Sequence, residues 1–214
     1  MGRGKSSSGG GGKPVKLITD AKSFGSQSIY GSNAETDEFF QTETWLNSLT
    51  PGEESATKWY TGSAYINLNA NLRAGDTPGD VSKCSEYQQK QIKQIDSALS
   101  KGVLEKPVTL YRGSTADLLG GRSTVEEIQE LVGAKVRDKA YVSASVSKNG
   151  SFGGEVAYKI LVPAGKGHGA YVGNISNVKS EAEYLMKRNT TYQIMGVQYS
   201  KSLGKPVVTM QVID

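Results

Sequence analysis

One cysteine and one histidine are the scarcest chemistry in this 214-residue chain, and each scarcity removes a class of function. Cys84 alone cannot build an internal disulfide framework or a thiolate metal cluster, and His168 alone cannot anchor a histidine-rich metal site, so no metal is expected. A Ser-His-Asp triad would have to recruit His168, which lies in the turn-like run Lys166-Gly167-His168-Gly169 and reads as a surface residue. No apolar run approaches a membrane span, and the N-terminus offers no hydrophobic stretch for a signal peptide, so the chain reads as soluble. Also absent is any Gly-x-Gly-x-x-Gly that opens a helix, which leaves a nucleotide to be bound by some other device.

A charge of one sign is missing too, once the net +4 is located. Residues 1–16 carry Arg3, Lys5, Lys13 and Lys16 and no acid, leaving 21 basic and 21 acidic residues in the remainder. The body is therefore neutral, which argues against a nucleic-acid partner. The Gly/Ser-rich residues 1–16 read as a disordered basic tail, because such a composition cannot bury enough apolar surface to fold. Residues 17–214, in a chain that is 36% apolar, suffice for one domain with a good-sized core.

What is present falls into two halves. From Asp37 to Leu49, Phe39, Phe40, Trp45 and Leu49 recur among acids as in a helix. Thr50-Pro51-Gly52-Glu53 then reads as a capping box with proline in the first turn, opening a short helix that ends near Thr61-Gly62. Ser63 to Arg73 continues the helical layer, and Asp80 is expected to cap a long helix through Leu99 that stops at Gly102. After Pro107 the pattern changes to β-rich segments: 107–113, then near 140–145, 154–162, 169–173, 182–186, 190–199 and 206–213. One capped helix (Thr124 to Leu131) interrupts them. Helices followed by many short strands predict an α+β protein, with two packed, mainly antiparallel β-sheets as a sandwich core and an N-terminal helical layer.

One stretch stands out chemically. In Ser180-Glu181-Ala182-Glu183-Tyr184-Leu185-Met186 a strand reading puts Glu181 and Glu183 side by side on one face. Two neighbouring carboxylates repel, so a site can give them unlike proton affinities and separate tasks. By itself such a triplet is more often a solvated edge. Two further features accompany it: a strand ending in Tyr111-Arg112-Gly113, and a later one carrying Tyr141-Val142-Ser143-Ala144-Ser145.

In that order, these three segments resemble the Arg, Ser-Thr-Ser and Glu-x-Glu motifs of the arginine-class mono-ADP-ribosyltransferases. The similarity is to the bacterial and phage exoenzyme branch, with its Rho-modifying exoenzymes and actin-modifying binary toxins. It spans about residues 36–213 and takes in Tyr60-Thr61-Gly62 through Leu72-Arg73 as well as Leu161-Val162-Pro163-Ala164-Gly165. The sequence departs from the pattern at Ala144, Gly113 and Ala140, where relatives have threonine, a second arginine and asparagine. Lys139 or Lys148 would then supply missing cofactor contacts.

The resemblance implies the ADP-ribosyltransferase fold, NAD as co-substrate, and a target protein bearing a reactive arginine. It assigns catalysis to Glu183, Glu181, Ser143 and Arg112, and NAD contacts to Arg112, Gly113, Ser143, Ser145, Tyr65, Phe152 and Glu183. The chemistry agrees. Nicotinamide leaves NAD as a neutral group, so cleavage needs no general acid but does need a carboxylate for the positive charge developing on the ribose, the part given to Glu183. Arg112 would hold the phosphates. A neutral guanidine acceptor needs a base, and glutamate at 181, where relatives acting on asparagine or bases carry glutamine, points to arginine. Two loops complete the expectation: Lys148 to Glu155, with Phe152 either covering nicotinamide or plugging the core, and Asn174 to Ser180 facing the target. A monomer acting in the cytoplasm of a target or host cell is expected. The alternatives are an NAD glycohydrolase, a transferase acting on another residue or on nucleic acid, and a noncatalytic module.

Overall fold

The computed structural model describes residues 15–25, 34–148 and 153–214. Phe152 and the first fourteen residues of the expected tail lie outside them. The helical layer consists of α1 (Ala34–Phe39), α2 (Thr42–Asn47), α3 (Pro51–Trp59), α4 (Tyr65–Ala74) and α5 (Glu86–Ser100). The helix expected over 37–49 is two helices, because Gln41 adopts a left-handed backbone (φ 49°) that no α-helix accommodates. The capping box at Thr50 is present: Thr50 N donates to Glu53 Oε2 at 2.7 Å, and Glu53 N donates to Thr50 Oγ1 at 3.3 Å. Asp80 does not start the long helix. Its carboxylate instead ties the turn before it, accepting from the backbone of Asp76 and Ser82, and the cap is Ser85 with Gln88. Between α3 and α4 the chain makes a π-helical turn, Tyr60–Ala64, kinked at Gly62.

The second half contains β1 (Val103–Leu104), β2 (Val108–Ser114), α6 (Val125–Gln129), β3 (Lys135–Arg137), β4 (Val142–Ser145) and β5 (Val156–Val162). It continues with β6 (Gly165–Lys166), β7 (Gly169–Tyr171), β8 (Glu183–Met186), β9 (Thr191–Ser200) and β10 (Lys205–Val212). The two- and three-residue strands β1, β3 and β6 were not expected, being too short to show an alternation. Strands β1 and β6 pair with each other, and the other eight run in the order β3-β9-β10-β5-β2-β4-β8-β7. Among the described strands only the β5–β10 pair is parallel. The ladder is weakest at β2–β4, which share one register pair, Tyr111 with Ser145. At that seam a five-stranded part (β3-β9-β10-β5-β2) meets a three-stranded part (β4-β8-β7), and both supply one apolar core. Val108, Leu110, Ile160 and Val208 come from the first and Val142, Ala144, Tyr184 and Met186 from the second.

The helical layer covers the other face of the three-stranded part. Leu185, Ala170 and Val172 alternate out of the first core into a second one with Trp45, Leu68, Leu72, Ile92, Ile95 and Leu99. The fold is thus α+β, with the helices packed against β4, β7 and β8. Contact is close where α5 ends: a Cβ on Gly102 would stand 1.9 Å from the Gly169 carbonyl oxygen. His168, expected at the surface, is half-buried. Burial, aided by Lys187, lowers its pKa. Among the described residues no helix is long and apolar enough to cross a membrane.

Candidate active site

Three of the expected residues meet because β4 and β8 are register neighbours. Ser145 lies directly opposite Glu183, and Ser143 opposite Leu185, so Ser143 and Glu183 are diagonal neighbours on the face turned toward the helical layer. Ser143 Oγ donates to Glu183 Oε1 at 2.6 Å. Arg112 reaches across the seam from the end of β2 and donates from its guanidinium to the Ser143 carbonyl oxygen. A cleft of about 530 Å³ opens over these groups, lined by Arg112, Gly113, Ser143, Ser145, Glu181 and Glu183 on the sheet side. Tyr60, Tyr65, Asn69 and Arg73 line it on the helical side.

The two acids occupy unlike surroundings. Glu183 is 4% exposed. Burial is the largest influence on it and raises its pKa, the charge of Glu181 adds to the rise, and the hydroxyls of Ser143 and Ser176 with the Arg112 charge oppose it. Glu181, by contrast, is exposed at the mouth of the same cleft. The two do not share a strand face as expected. Lys179–Glu181 is a 3-10 turn and Ala182 between the acids has a left-handed backbone (φ 44°, ψ 55°), so β8 starts at Glu183 and the alternation does not extend back to Glu181. Buried Ala182 at positive φ is an uncommon conformation for a residue with a Cβ, and it turns one carboxylate inward and the other out.

Of the remaining expected residues, Tyr65 lines the helical side of the cleft and is 48% exposed. The Ser145 hydroxyl accepts from the Ser147 backbone at 3.1 Å, so it closes the turn after β4 as well as lining the cleft. Lys139, named as a substitute cofactor contact, donates to the Gly75 carbonyl and lines a neighbouring cavity of about 190 Å³. That cavity shares Arg73 and Arg112 with the main cleft.

Sequence reasoning left three residues without a role. Ser176 is a second hydroxyl on the inner acid, donating to Glu183 Oε2 at 3.3 Å. Asn69 is buried in the cleft wall, donating to Tyr60 Oη at 2.8 Å and to the Tyr141 carbonyl at 3.2 Å. Its Oδ1 has no partner among the described residues. A buried acceptor facing a cleft is a place for a ligand's N–H or O–H. Arg73 is held by Asp138 through two bonds, Nε to Oδ1 at 3.0 Å and an Nη to Oδ2 at 2.8 Å. A signal for two of them was in the sequence: Tyr65, Asn69 and Arg73 are spaced i, i+4, i+8, one stripe of a helix that carries polar groups toward the sheet. Ser176 had none, since it precedes the acids in a loop.

A family model described as ADP-ribosyltransferase exoenzyme matches residues 40–213. The NAD(+)–arginine ADP-ribosyltransferase EFV of Enterococcus faecalis is 28% identical over 187 residues, covering 85% of this chain, while the chain spans 34% of that relative's length. Mono-ADP-ribosyltransferase C3 of Hathewaya limosa is 25% identical over 177 residues, 75% of this chain and 69% of the relative. Among solved structures, C3stau2 from S. aureus with NAD superimposes with a TM-score of 0.75 at 23% identity, over 91% of this chain and 99% of the other. Plx2a, an ADP-ribosyltransferase toxin from Paenibacillus larvae, gives 0.73 at 24% identity, over 84% and 96%. These likenesses establish the same fold. With the family match extending over most of the chain and the three motifs gathered at one cleft, the chain belongs to the ADP-ribosyltransferase exoenzymes, a family whose co-substrate is NAD.

Proposed function

We propose that this protein cleaves the nicotinamide–ribose bond of NAD and transfers the ADP-ribose to an arginine side chain of a target protein. The observation that carries the reading is the pair of acids at one cleft: Glu183 buried and held by two hydroxyls, Glu181 exposed beside it. Glu183, fixed by Ser143 and Ser176, would take hydrogen bonds from the nicotinamide ribose and stabilise the positive charge that develops as the neutral base departs. Arg112 and Arg73, which stand where the two cavities join, offer two cations to the diphosphate. Gly113, Ser145, Tyr65 and the unpartnered Asn69 acceptor complete a wall with both apolar and polar contacts for the rest of NAD. An arginine reaches catalysis only as its neutral guanidine, and the exposed Glu181 carboxylate is the base an incoming side chain would meet. The arginine named for the Enterococcus relative agrees with this acceptor. The proposed acting form is a monomer, and the proposed place of action is the cytoplasm of a target cell.

Two variants separate the halves of the reaction. Glu183→Gln is expected to abolish both NAD hydrolysis and transfer, because both need the charge on the ribose stabilised. Glu181→Gln is expected to leave hydrolysis by water standing while transfer to arginine falls by about 100-fold or more, the scale of a general base. Equal loss of the two activities in Glu181→Gln would overturn the arginine reading.

A further inference from the structure

The turn that carries Glu181 belongs to no strand, yet it is fastened to the helical side of the cleft through Asn177. The Asn177 backbone N–H donates to Thr61 Oγ1 at 3.1 Å, and its side-chain Nδ2 donates to the Lys58 carbonyl at 2.7 Å. Thr61 Oγ1 donates to the same carbonyl at 2.9 Å, so two side-chain donors converge on one oxygen in the last turn of α3. This is where regular helix gives way to the π-helical turn, and where Gly62 leaves helical geometry (φ −84°, ψ −140°). The bare backbone at Gly62 leaves room for the loop, since a Cβ there would lie 3.3 Å from Asn177 Nδ2. A π-helical irregularity beside a site commonly marks a functional constraint. Here it presents a carbonyl and an open surface to a loop from the far end of the sequence.

We propose that Asn177 is a positioning residue for the acceptor half of the reaction, locking the Glu181 turn onto the kinked helix so that the carboxylate meets the incoming guanidine. The proposal rests on the reading of Glu181 as the base serving arginine. A base must stand within hydrogen-bond reach of the proton it takes, and a misplacement of the order of 1 Å costs about 100-fold. Between Asn177 and Ala182 the described hold on the chain is one 3-10 turn and the bond from Val178 N to Ser176 Oγ at 3.1 Å. Past Glu181 the Ala182 carbonyl accepts from Val146 N at 3.0 Å, so losing the Asn177 side-chain bond loosens the segment that carries Glu181 on its N-terminal side. Glu183 is held chiefly otherwise, by β8 and by the 2.6 Å bond from Ser143; its one bond from this loop is the longer one from Ser176 at 3.3 Å, so its position depends less on the anchor. Cleavage of NAD and delivery to the acceptor should therefore respond differently.

The test uses the whole protein with Asn177→Asp, which keeps the shape but cannot donate to the Lys58 carbonyl, and Asn177→Ala as a second variant. NAD hydrolysis without acceptor, transfer to agmatine (a guanidine with no protein surface) and the thermal midpoint are measured for each. Expected are a drop of about 10-fold in kcat for transfer, with NAD hydrolysis and the KM for NAD within about twofold of the parent. An unchanged ratio of transfer to hydrolysis in both variants overturns the proposal, as does a joint loss of both activities with a lowered midpoint, the mark of a purely structural role. If the parent protein hydrolyses NAD but transfers nothing to agmatine, the arginine reading fails and takes this proposal with it.

Discussion

Glu183 sits where burial works against its charge, at the position to which the proposed reaction assigns the stabilisation of the ribosyl cation. A carboxylate whose pKa is raised on folding binds more protons folded than unfolded, so its contribution to stability falls as pH rises through the folded value. The charged form is disfavoured at neutral pH and relieved on acidification. Glu183→Gln removes the charge while leaving an oxygen for Ser143. The variant should therefore unfold at a higher temperature than the parent at pH 7.5, and the difference should shrink as the pH is lowered, while all turnover of NAD is lost. Calorimetry across that range checks it, and a midpoint below the parent's would show that the hydroxyls and Arg112 fully compensate the buried charge. The same rise predicts that the acid limb of the activity profile lies above the ordinary glutamate range.

At the scale of elements, the seam between β2 and β4 would be thin without a segment that shows no periodicity in the sequence. Residues 22–25 run along it. Lys22 N donates to the Pro107 carbonyl at 2.8 Å and Lys22 O accepts from Thr109 N at 2.8 Å, on the β2 side. On the β4 side Phe24 bridges to Ser147, whose hydroxyl donates to Gly25 O at 3.2 Å. Phe24 is 2% exposed and packs its ring at 5.2 Å from Phe39 and 5.7 Å from Phe40. Ser23 bonds the hydroxyl of Tyr111, a cleft residue, so this strap reaches the site as well. Earlier still, Gln211 of β10 donates to Lys16 O at 3.0 Å, at the end of the expected tail. Phe24→Ala should cost about 3 kcal/mol or more in denaturant unfolding, the usual scale for deleting a buried phenylalanine, whereas a chain starting at Val15 retains these contacts and should keep its stability. A loss of less than about 1 kcal/mol in Phe24→Ala would mean that the seam holds without its wedge.

For the molecule as a whole, acid stability should be governed less by the active site than by the joint between α3 and α5. Burial alone would raise the pKa of Glu53, but Lys101 at 2.6 Å, the Ser97 hydroxyl and the Thr50 backbone outweigh it and bring it down to about 2. A depressed carboxylate stabilises the fold above its unfolded pKa of roughly 4.3, and that contribution is lost as pH falls toward the folded value. Parent protein should therefore lose thermal stability steeply between about pH 4.5 and 2. Glu53→Gln should start lower at pH 7 and show a shallower decline over that window. Parallel pH curves for the two proteins would place the acid sensitivity elsewhere.

How much of this was legible depended on range along the chain. Local chemistry declared itself: the capping box at Thr50, the capped helix at Thr124, the change from helical to alternating patterns after Pro107, and the three motifs around Arg112, Ser143 and Glu183. These are interactions within a few residues, where spacing and residue type are enough. The neutral body and the want of cysteine and histidine likewise follow from composition alone. What the tertiary structure decided were contacts between segments far apart in sequence. The unlike surroundings of the two glutamates come from the left-handed turn at Ala182 and from the burial of Glu183 beside Ser143 and Ser176. The grip of Ser176 on Glu183, the Asn69 acceptor without a partner among the described residues, the strap in the seam and the anchor of Asn177 on Lys58 arise only when the β4–β8 register and the helical layer are assembled. Burial and hydrogen-bond satisfaction belong to the packed chain, and no local pattern encodes which distant group will arrive to complete them.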